Sequence, residues 1–360
     1  MTWFQSHGEK HKVGYTKIFL VAGLDGEVKL NWKKMFFLLF VGLTLLALFI
    51  LKTSDLRLVL GYVLSAQKTF YCLAFILLFF AVIFYTGSWY VMVRGLGLSF
   101  NFALIVTWSS IFFNTITPTA SFGGEAVRIY FVNRKTGFDY GTITATVFLH
   151  RVVCTIPFLV GSIVGIVYLT KFFNASTFLS KLLTLLLTFI FLSLTVILVL
   201  CVKPEIASKL TLKLTNLLNK KHSTPLKSLA EKFRNMILSF EKNLKVLVCR
   251  GKIFAVSIAL AFLSWFSDVV IAYLIFLSLK YPLNLPAIIL VYTVGMTIQM
   301  IPIGIPGMVG VVESVMASLY TVIGVPLSLS IAATLMIRAV MFWFQVFMGG
   351  VSTILLQKTL

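Results

Sequence analysis

Apolar runs of 17 or more residues recur along the whole of this sequence, and no other feature restricts its fold as strongly. A helix needs about 20 predominantly apolar residues to cross the hydrocarbon core of a bilayer. Only 12% of the residues are charged, about half the share found in soluble domains. The runs are continuous, whereas the strands of a transmembrane β-barrel alternate apolar and polar residues. The sequence therefore predicts an all-α polytopic membrane protein.

Six of the apolar runs are uninterrupted, and two are broken by proline, glycine and polar residues. Each broken run, Phe102–Thr136 and Pro286–Ile323, divides into two pieces of about 15 residues, which are too short to cross. We therefore predict that each is a re-entrant helical hairpin that enters and leaves the bilayer on one side. The predicted full spans are Met35–Leu51, Phe70–Val93, Gly141–Thr170, Lys181–Val202, Ile253–Leu279 and Leu327–Leu355.

The distribution of basic residues gives the orientation of these spans. If the chain starts in the cytoplasm and crosses at each full span, 22 of the 31 lysines and arginines lie on the cytoplasmic side and 6 on the outer side. Cytoplasmic loops of membrane proteins carry such an excess. Both termini are therefore predicted to be cytoplasmic, and the expected location is the cytoplasmic (inner) cell membrane. In this topology the first hairpin opens to the cytoplasm and the second to the outer side.

The same topology divides the chain into four parts. They are a cytoplasmic N-terminal segment (1–34), a membrane half with the first hairpin (35–202), a basic cytoplasmic segment (203–252) and a membrane half with the second hairpin (253–356). Apolar residues such as Leu226, Leu229 and Phe233 recur in the basic segment at helical spacing, with lysine and arginine between them. This pattern predicts an amphipathic helix that lies on the anionic inner leaflet or packs beneath the bundle.

The net charge of +20 indicates a lipid surface rather than nucleic acid, because no nucleic-acid-binding module accompanies the basic residues. Membrane lipids are therefore the expected partners. A second copy of the chain, forming a homodimer, or an enzyme of cell-envelope biosynthesis are the protein partners that remain open. No metal-ligand spacing and no nucleotide-binding loop occurs in the sequence, so no cofactor is expected.

The two broken runs resemble each other. Glu125 precedes Arg151 by 26 residues, and Glu313 precedes Arg338 by 25 residues, with proline and glycine before the glutamate in both runs. Both arginines are predicted to lie about 15 Å deep in the bilayer. Two similar units of opposite orientation form an inverted repeat, the arrangement of many secondary transporters, whose substrate sites lie beside broken helices. Chance similarity is the alternative, since proline and glycine are common in membrane helices.

Non-helical backbone at membrane depth is tolerated only where protein or a water-filled cavity satisfies its polar groups. The turns at 115–124 and 302–310 are therefore predicted to face each other across a shared cavity. The helices that follow, starting near Gly124 and near Val309, would attract an anion through their N-terminal amides.

Ionisable side chains at membrane depth are costly, so they are paired or functional. We predict that Glu125 lies near Arg151 and Glu313 near Arg338, unless the pairs exchange partners between the units. Purely structural ion pairs are the alternative. Arg128 is the predicted headgroup contact, because a guanidinium forms bidentate hydrogen bonds with phosphate. The candidate substrate-binding residues are Glu125, Arg128, Arg151, Glu313, Arg338, Asp268, His150, Gln299, Gly123, Gly124, Pro118, Pro306 and Gly307.

Asp268 is the only acid on its predicted helix. It would serve either as the counter-ion of an arginine or as a proton site for coupled transport, and the sequence leaves both roles open. His150, next to Arg151, is more typical of a hydrogen-bonded helix residue than of a metal ligand. Trp89, Trp108 and Trp265 are interpreted as packing or interfacial residues.

The broken runs carry motifs of a known family. "TPTASFGGEAVR" with the "HR" of the next helix, and "GIPGMVGVVE" with the arginine of "LMIRAV", resemble the transmembrane region of lysylphosphatidylglycerol synthase. That region is the flippase-like part of bacterial multiple peptide resistance factors, and it also occurs as stand-alone membrane proteins. The resemblance covers residues 35 to 356. It implies a flippase-type fold with two re-entrant hairpins and, for the factors themselves, movement of aminoacylated phosphatidylglycerol between leaflets.

By this resemblance, Glu125, Arg128 and Arg151 match the first motif, and Glu313 and Arg338 match the second. The second motif departs from the family pattern, in which a proline is followed by more consecutive glycines. The factors also carry an aminoacyl-transferase domain with no counterpart in these 360 residues, so lysyl transfer is not expected.

The expected function is translocation of an anionic or aminoacylated phospholipid, or of a polyprenyl-phosphate-linked lipid, between leaflets. A transporter is favoured over an enzyme, because the few acids and the absence of a nucleophile motif argue against catalysis. A membrane-embedded transferase, an accessory scaffold in lipid or cell-envelope biosynthesis, and a transporter for a soluble solute are the alternatives.

Overall fold

The computed structural model describes residues 32–117, 123–172, 251–299 and 305–359, together with residues 181, 184–189, 191–192, 195 and 242. Their regular secondary structure is entirely helical, with short turns between the helices and no strand among the described residues. The helices are α1 (Trp32–Thr53), α2 (Leu56–Ser65), α3 (Lys68–Val93), α4 (Phe100–Ile116), α5 (Gly123–Thr136), α6 (Tyr140–Phe172), α7 (Gly251–Ser278), α8 (Leu285–Gln299), α9 (Val311–Val322), α10 (Leu327–Arg338) and α11 (Gln345–Thr359).

Four helical stretches of the described residues are long and apolar enough to cross a membrane. They are Lys68–Leu96, Tyr140–Lys171, Gly251–Ser278 and Leu327–Thr359. Three of them contain a predicted span, and Gly251–Ser278 covers all of the predicted span Ile253–Leu279 except its last residue. The predicted first span lies within α1, which has 22 residues. Most of the predicted span Lys181–Val202 lies outside the described residues, as do nearly all of the basic segment 203–252 and the segment 1–31.

Two local features were not predicted. The interval between the first two spans contains α2, which begins after Asp55, where the side-chain carboxylate accepts a hydrogen bond from the backbone amide of Arg57 at 2.8 Å. This capping contact is typical of helix N-termini. The predicted span Leu327–Leu355 contains a π-helical segment, Ala339–Phe344, between α10 and α11. Such segments are rare and often occur at functional sites.

Both predicted breaks are present, and the two helices on either side of each break pack against each other. In the first broken run α4 packs against α5, and in the second α8 packs against α9. A short 3₁₀ turn, Pro306–Met308, precedes α9 and lies against both α4 and α1. The turn of the second run therefore touches the first run directly.

The core that supports these runs is built from helix pairs. Helix α3 runs antiparallel to α7 along its whole length, since Gln67 lies beside Ser278 and Ser88 beside Ser257. Two reciprocal hydrogen bonds join Ser88 and Ser257, and both residues are fully buried. Helix α11 packs along α4, where Gly349 meets the backbone of Trp108. The first broken run is thus held between α11 and the α3–α6 pair.

Candidate functional site

The predicted pairing of glutamate with arginine occurs within each unit. In the first unit a terminal nitrogen of Arg151 donates to Oε1 of Glu125 at 3.4 Å. The Arg151 side chain is 23% exposed and the Glu125 side chain 16% exposed. The other carboxylate oxygen of Glu125 is buried and accepts no hydrogen bond. This pair is long, partly open and leaves an acceptor without a donor.

Arg128 is enclosed among neutral groups. Its Nε donates to Oγ of Ser110, and a terminal nitrogen donates to Nδ1 of His150, each at 3.0 Å. The guanidinium carbon lies 5.1 Å from the ring centroid of Tyr85 and 4.9 Å from that of Trp89. Only 1% of the residue is exposed. Within the described part of the chain, no carboxylate lies at ion-pair distance from this guanidinium.

The hydrogen bond from Arg128 fixes the state of His150. A guanidinium can only donate, so Nδ1 of His150 must accept and the single ring proton lies on Nε2. That nitrogen lies 3.3 Å from Sγ of Cys154, one helical turn later. His150 is therefore a neutral ring that holds Arg128 in position, with Tyr85 packed edge-on against it at 4.7 Å.

The start of α5 is pressed against α4. The backbone amide of Gly124 donates to Oδ1 of Asn114 at 2.6 Å. A Cβ atom at Gly124 would overlap the carbonyl oxygen of Ser110 and lie 2.5 Å from its hydroxyl oxygen. Only glycine fits here. This close approach brings Glu125 and Arg128, on the first two turns of α5, to the polar face of α4. Gly123 begins α5, whereas Pro118 lies outside the described residues.

The second unit has a closed ion pair instead. Nε of Arg338 donates to Oε1 of Glu313 at 2.6 Å, and both side chains are more than nine-tenths buried. Glu313 Oε2 accepts from the amide of Gly310 at 2.7 Å, while Arg338 also donates to the carbonyl oxygen of Gly307 at 2.9 Å. The guanidinium stacks over the ring of Phe342, 4.0 Å from its centroid. Both charged groups of this pair therefore form hydrogen bonds that stabilise the turn.

Glycine is required at two positions of this second turn. Gly307 and Gly310 have φ angles of +58° and +86°, in the region that disfavours residues with a Cβ atom. A Cβ at Gly307 would run into the ring of Phe342, and one at Gly310 into the carbonyl oxygen of Gly42 on α1. Pro306, the first residue of the 3₁₀ turn, is buried. The turn is therefore tightly packed, although it lacks the consecutive glycines of the family pattern.

Both helix N-termini that were predicted to attract an anion already have an internal acceptor. Glu313 caps α9 through the amide of Gly310, and Asn114 occupies the amide of Gly124 at the start of α5. An acceptor from the chain itself thus satisfies one amide at each helix start, and anion binding at these N-termini stays a prediction. The guanidinium groups beside them are equally suited to an anion.

The two units differ in charge. Beside the first break, the described residues include two guanidinium groups, Arg128 and Arg151, and one carboxylate, Glu125, whereas Arg134 and Lys135 lie in the last turn of α5. Beside the second break they include one guanidinium group and one carboxylate, Arg338 and Glu313. An excess positive charge is thus held at the first break, and the second break is neutral. The predicted repeat of ion pairs is present, but only the first unit retains an uncompensated cation.

Asp268 lies away from these pairs. Its Oδ2 accepts a hydrogen bond from the hydroxyl of Tyr292 on α8 at 2.9 Å. No arginine or lysine of the described residues pairs with it, so a hydroxyl takes the place of the arginine proposed as its counter-ion. Gln299 is the last residue of α8 and is half-buried.

Sequence reasoning missed four residues that position the charged groups: Tyr85, Ser110, Asn114 and Tyr292. Ser110 and Asn114 are four residues apart, and this spacing places them on one face of α4. This shared polar face could have predicted that α4 packs against α5. Tyr85 and Tyr292 carried no comparable signal, because a tyrosine in an apolar helix packs in a core more often than it pairs with a charge.

These observations define a class of protein: an all-helical chain with several membrane-length helices, in which two broken helical runs each carry a glutamate–arginine pair. Residues 36–349 match the family described as the lysylphosphatidylglycerol synthase TM region. The chain belongs to this family, which confirms the resemblance predicted from the two motifs, and it is a multi-pass membrane protein.

Three archaeal relatives are similar to the chain over most of its length, and each is named a UPF0104 membrane protein. The relative from Pyrococcus horikoshii is 26% identical over 338 residues, covering 91% of this chain and 98% of the relative. One from Methanocaldococcus jannaschii is 26% identical, covering 83% and 88%. One from Methanothermobacter thermautotrophicus is 24% identical, covering 79% and 85%.

Proposed function

We propose that the protein translocates lipids with an anionic headgroup between the leaflets of the cytoplasmic membrane. The observation that carries this proposal is the excess positive charge at the first break, where Arg151 pairs with Glu125 and Arg128 has only neutral partners. A buried cation without a counter-ion is unfavourable, so a headgroup phosphate stabilises this arrangement when it enters. The family, which is named for a lipid synthase, supports a lipid as the substrate.

Each group at the first break has a function in this proposal. Arg151 is partly exposed and meets the headgroup first. Arg128 is planar, held by Ser110 and His150, and provides further donors for the phosphate oxygens. The unpartnered oxygen of Glu125 suits the ammonium of an aminoacylated headgroup or a hydroxyl of glycerol. The acyl chains stay in the bilayer while the headgroup passes between the helices.

The second unit supports the first. In the proposed topology both broken runs are re-entrant and open to opposite faces, and the basic segment 203–252 lies at the inner leaflet. The closed pair of Glu313 and Arg338 stiffens the second turn where it touches α4. In this proposal the headgroup passes between the rigid second turn and the more open site at the first break.

The proposal is tested by reconstitution into vesicles that contain fluorescent lipids labelled on the hydrocarbon tail. Labelled phosphatidylglycerol, a labelled polyprenyl phosphate and labelled phosphatidylcholine are compared, and the fraction accessible to an external quencher is followed with time. The wild type is expected to move the anionic lipids faster than phosphatidylcholine. Equal rates in protein-containing and protein-free vesicles for every lipid would reject the proposal.

Variants of the first unit give the residue-level test. Arg128→Gln and Arg151→Gln are each expected to slow the anionic lipids about ten- to a hundredfold, because a hydrogen bond to a charged group contributes about 1.5–3 kcal/mol. Arg94→Gln is the matched control, since Arg94 is exposed and makes no ion pair among the described residues. Unchanged rates in both first-unit variants would remove these residues from the translocation path.

A further inference from the structure

A second polar group lies in the interior, away from both glutamate–arginine pairs. Asp268 is on α7, whose 28 residues span about 42 Å at 1.5 Å per residue. Its Cα lies about 5 Å from the midpoint of this helix on the same scale. Its carboxylate accepts one hydrogen bond, from the hydroxyl of Tyr292. A carboxylate thus sits near the centre of a membrane-length helix with a single neutral partner.

Two further polar atoms of α7 and α8 are buried and have no hydrogen-bond partner. They are the indole nitrogen of Trp265, one turn before Asp268, and the hydroxyl of Thr293, next to Tyr292. Both lie against Gly161 of α6, where an added Cβ would be 2.6 Å from the Thr293 hydroxyl and 3.0 Å from the Trp265 ring. The polar side chains of α7 and α8 therefore meet where α6 crosses them.

The charged and titratable groups around this junction leave the carboxylate uncompensated. On α8 the group is Tyr292 itself, and on α6 residues 155–167 include none. The antiparallel register of α3 places residues 73–81 level with Asp268, and all of these are apolar. Helix α10 carries Arg338, which is paired with Glu313. No described side chain offers Asp268 a positive charge.

Asp268 is partly buried, and a carboxylate at membrane depth without a cation is disfavoured and is stabilised by taking up a proton. Buried polar atoms without partners also call for an explanation, and a transiently entering proton carrier such as water provides one. Tyr292 donates its hydroxyl proton to the carboxylate, and the indole of Trp265 can only donate. Such a set of donors suits an exchangeable proton on an acid better than it suits a metal ion, which requires several oxygen ligands.

We propose that Asp268, at the junction of α6, α7 and α8, is a proton-binding site that takes up and releases one proton in each transport cycle. The proton is bound by the carboxylate oxygen that Tyr292 does not contact, and Trp265 and Thr293 hold the water through which it exchanges. The coupling of this proton to lipid movement rests on the proposed function. The presence of the proton site does not.

Infrared spectroscopy of the purified full-length protein in lipid tests the site by itself. The wild type is expected to show the carbonyl band of a protonated carboxylic acid, which disappears as the pH is raised. Asp268→Asn is expected to remove this band, Tyr292→Phe to shift it, and Asp55→Asn to leave it unchanged, because Asp55 is an exposed helix cap. A band that persists in Asp268→Asn, or that is absent from the wild type at every pH, would overturn the proposal.

Vesicles with an imposed pH gradient test the coupling. With one proton per lipid, a gradient of one pH unit is expected to drive up to a tenfold difference in labelled anionic lipid between the leaflets, since this gradient is itself a tenfold ratio of protons. In Asp268→Asn, the labelled lipid is expected to distribute equally between the two leaflets despite the pH gradient. Lipid movement by the wild type that ignores the gradient would overturn the coupling while leaving the proposed translocation intact. An infrared band without any lipid movement would overturn the proposed translocation while leaving the proton site intact.

Discussion

Glu313 uses both carboxylate oxygens inside the fold, one for Arg338 and one for the amide of Gly310. Glu125, at the equivalent position of the first unit, uses one oxygen at 3.4 Å and leaves the other without a donor. Breaking a buried ion pair leaves a charge without compensation, whereas a partly exposed pair is screened by its surroundings. The two pairs therefore differ in their contribution to stability, although their spacing in the chain is nearly the same.

Substituting each glutamate by glutamine separates the two contributions. Glu313→Gln is expected to lower the free energy of unfolding by about 3–5 kcal/mol, because it leaves Arg338 buried and unpaired. Glu125→Gln is expected to cost less, about 1 kcal/mol, because its pair with Arg151 is long and partly exposed. Thermal unfolding of the two variants in the same detergent measures the difference. Equal shifts in the unfolding temperature would contradict the distinction between a closed and an open pair.

The repeated spacing of about 25 residues predicted that each glutamate meets the arginine of its own unit, with an exchange of partners between the units left open. The structure shows the pairing within each unit. The sequence was not sufficient to predict the environment of Arg128. The groups that enclose this guanidinium come from α3, α4 and α6, and their meeting depends on how the helices pack. Local spacing contains no information about that packing.

Among the elements, the two broken runs were the easiest to predict and the contact between them the hardest. Proline and glycine in an apolar run mark a break directly. The position of α1 against the second turn was not predictable in this way, because it depends on two distant glycines. A Cβ at Gly42 would lie 2.5 Å from the carbonyl oxygen of Val309, and one at Gly310 would overlap Gly42 itself.

Alanine substitutions of two helical glycines test this contact. Gly42→Ala is expected to destabilise the protein by about 1–3 kcal/mol, because the added methyl group has no space against the backbone of Val309. Gly61→Ala is the matched control, since nothing lies within 4 Å of that position in α2. Alanine there is expected to stabilise by about 0.5–1 kcal/mol through its higher helix propensity. Unfolding temperatures that fall equally in both variants would show that α1 does not pack closely on the second turn.

At the scale of the whole molecule, the proposed function depends on two broken runs of opposite orientation that meet within the bilayer. The basic residues predict this topology, and the contact between α4 and the 3₁₀ turn at Pro306–Met308 is consistent with it. If a broken run crossed the bilayer completely, its two ends would lie on opposite sides of the membrane. A re-entrant run keeps the turn inside, where the charged residues of both units can line one path for a headgroup.

Accessibility labelling of the loops beside the two runs tests this central claim most directly. Single cysteines are placed at Gly95, Asp139, Asn284 and Pro326, all of them exposed, in a chain whose four native cysteines are replaced. Each cysteine is labelled with a thiol-specific reagent that cannot cross the membrane and is added to one side at a time. We predict that Gly95→Cys and Asp139→Cys react only from the cytoplasmic side, and that Asn284→Cys and Pro326→Cys react only from the outer side. A run whose two flanking positions react from opposite sides crosses the membrane, and this result would contradict the account.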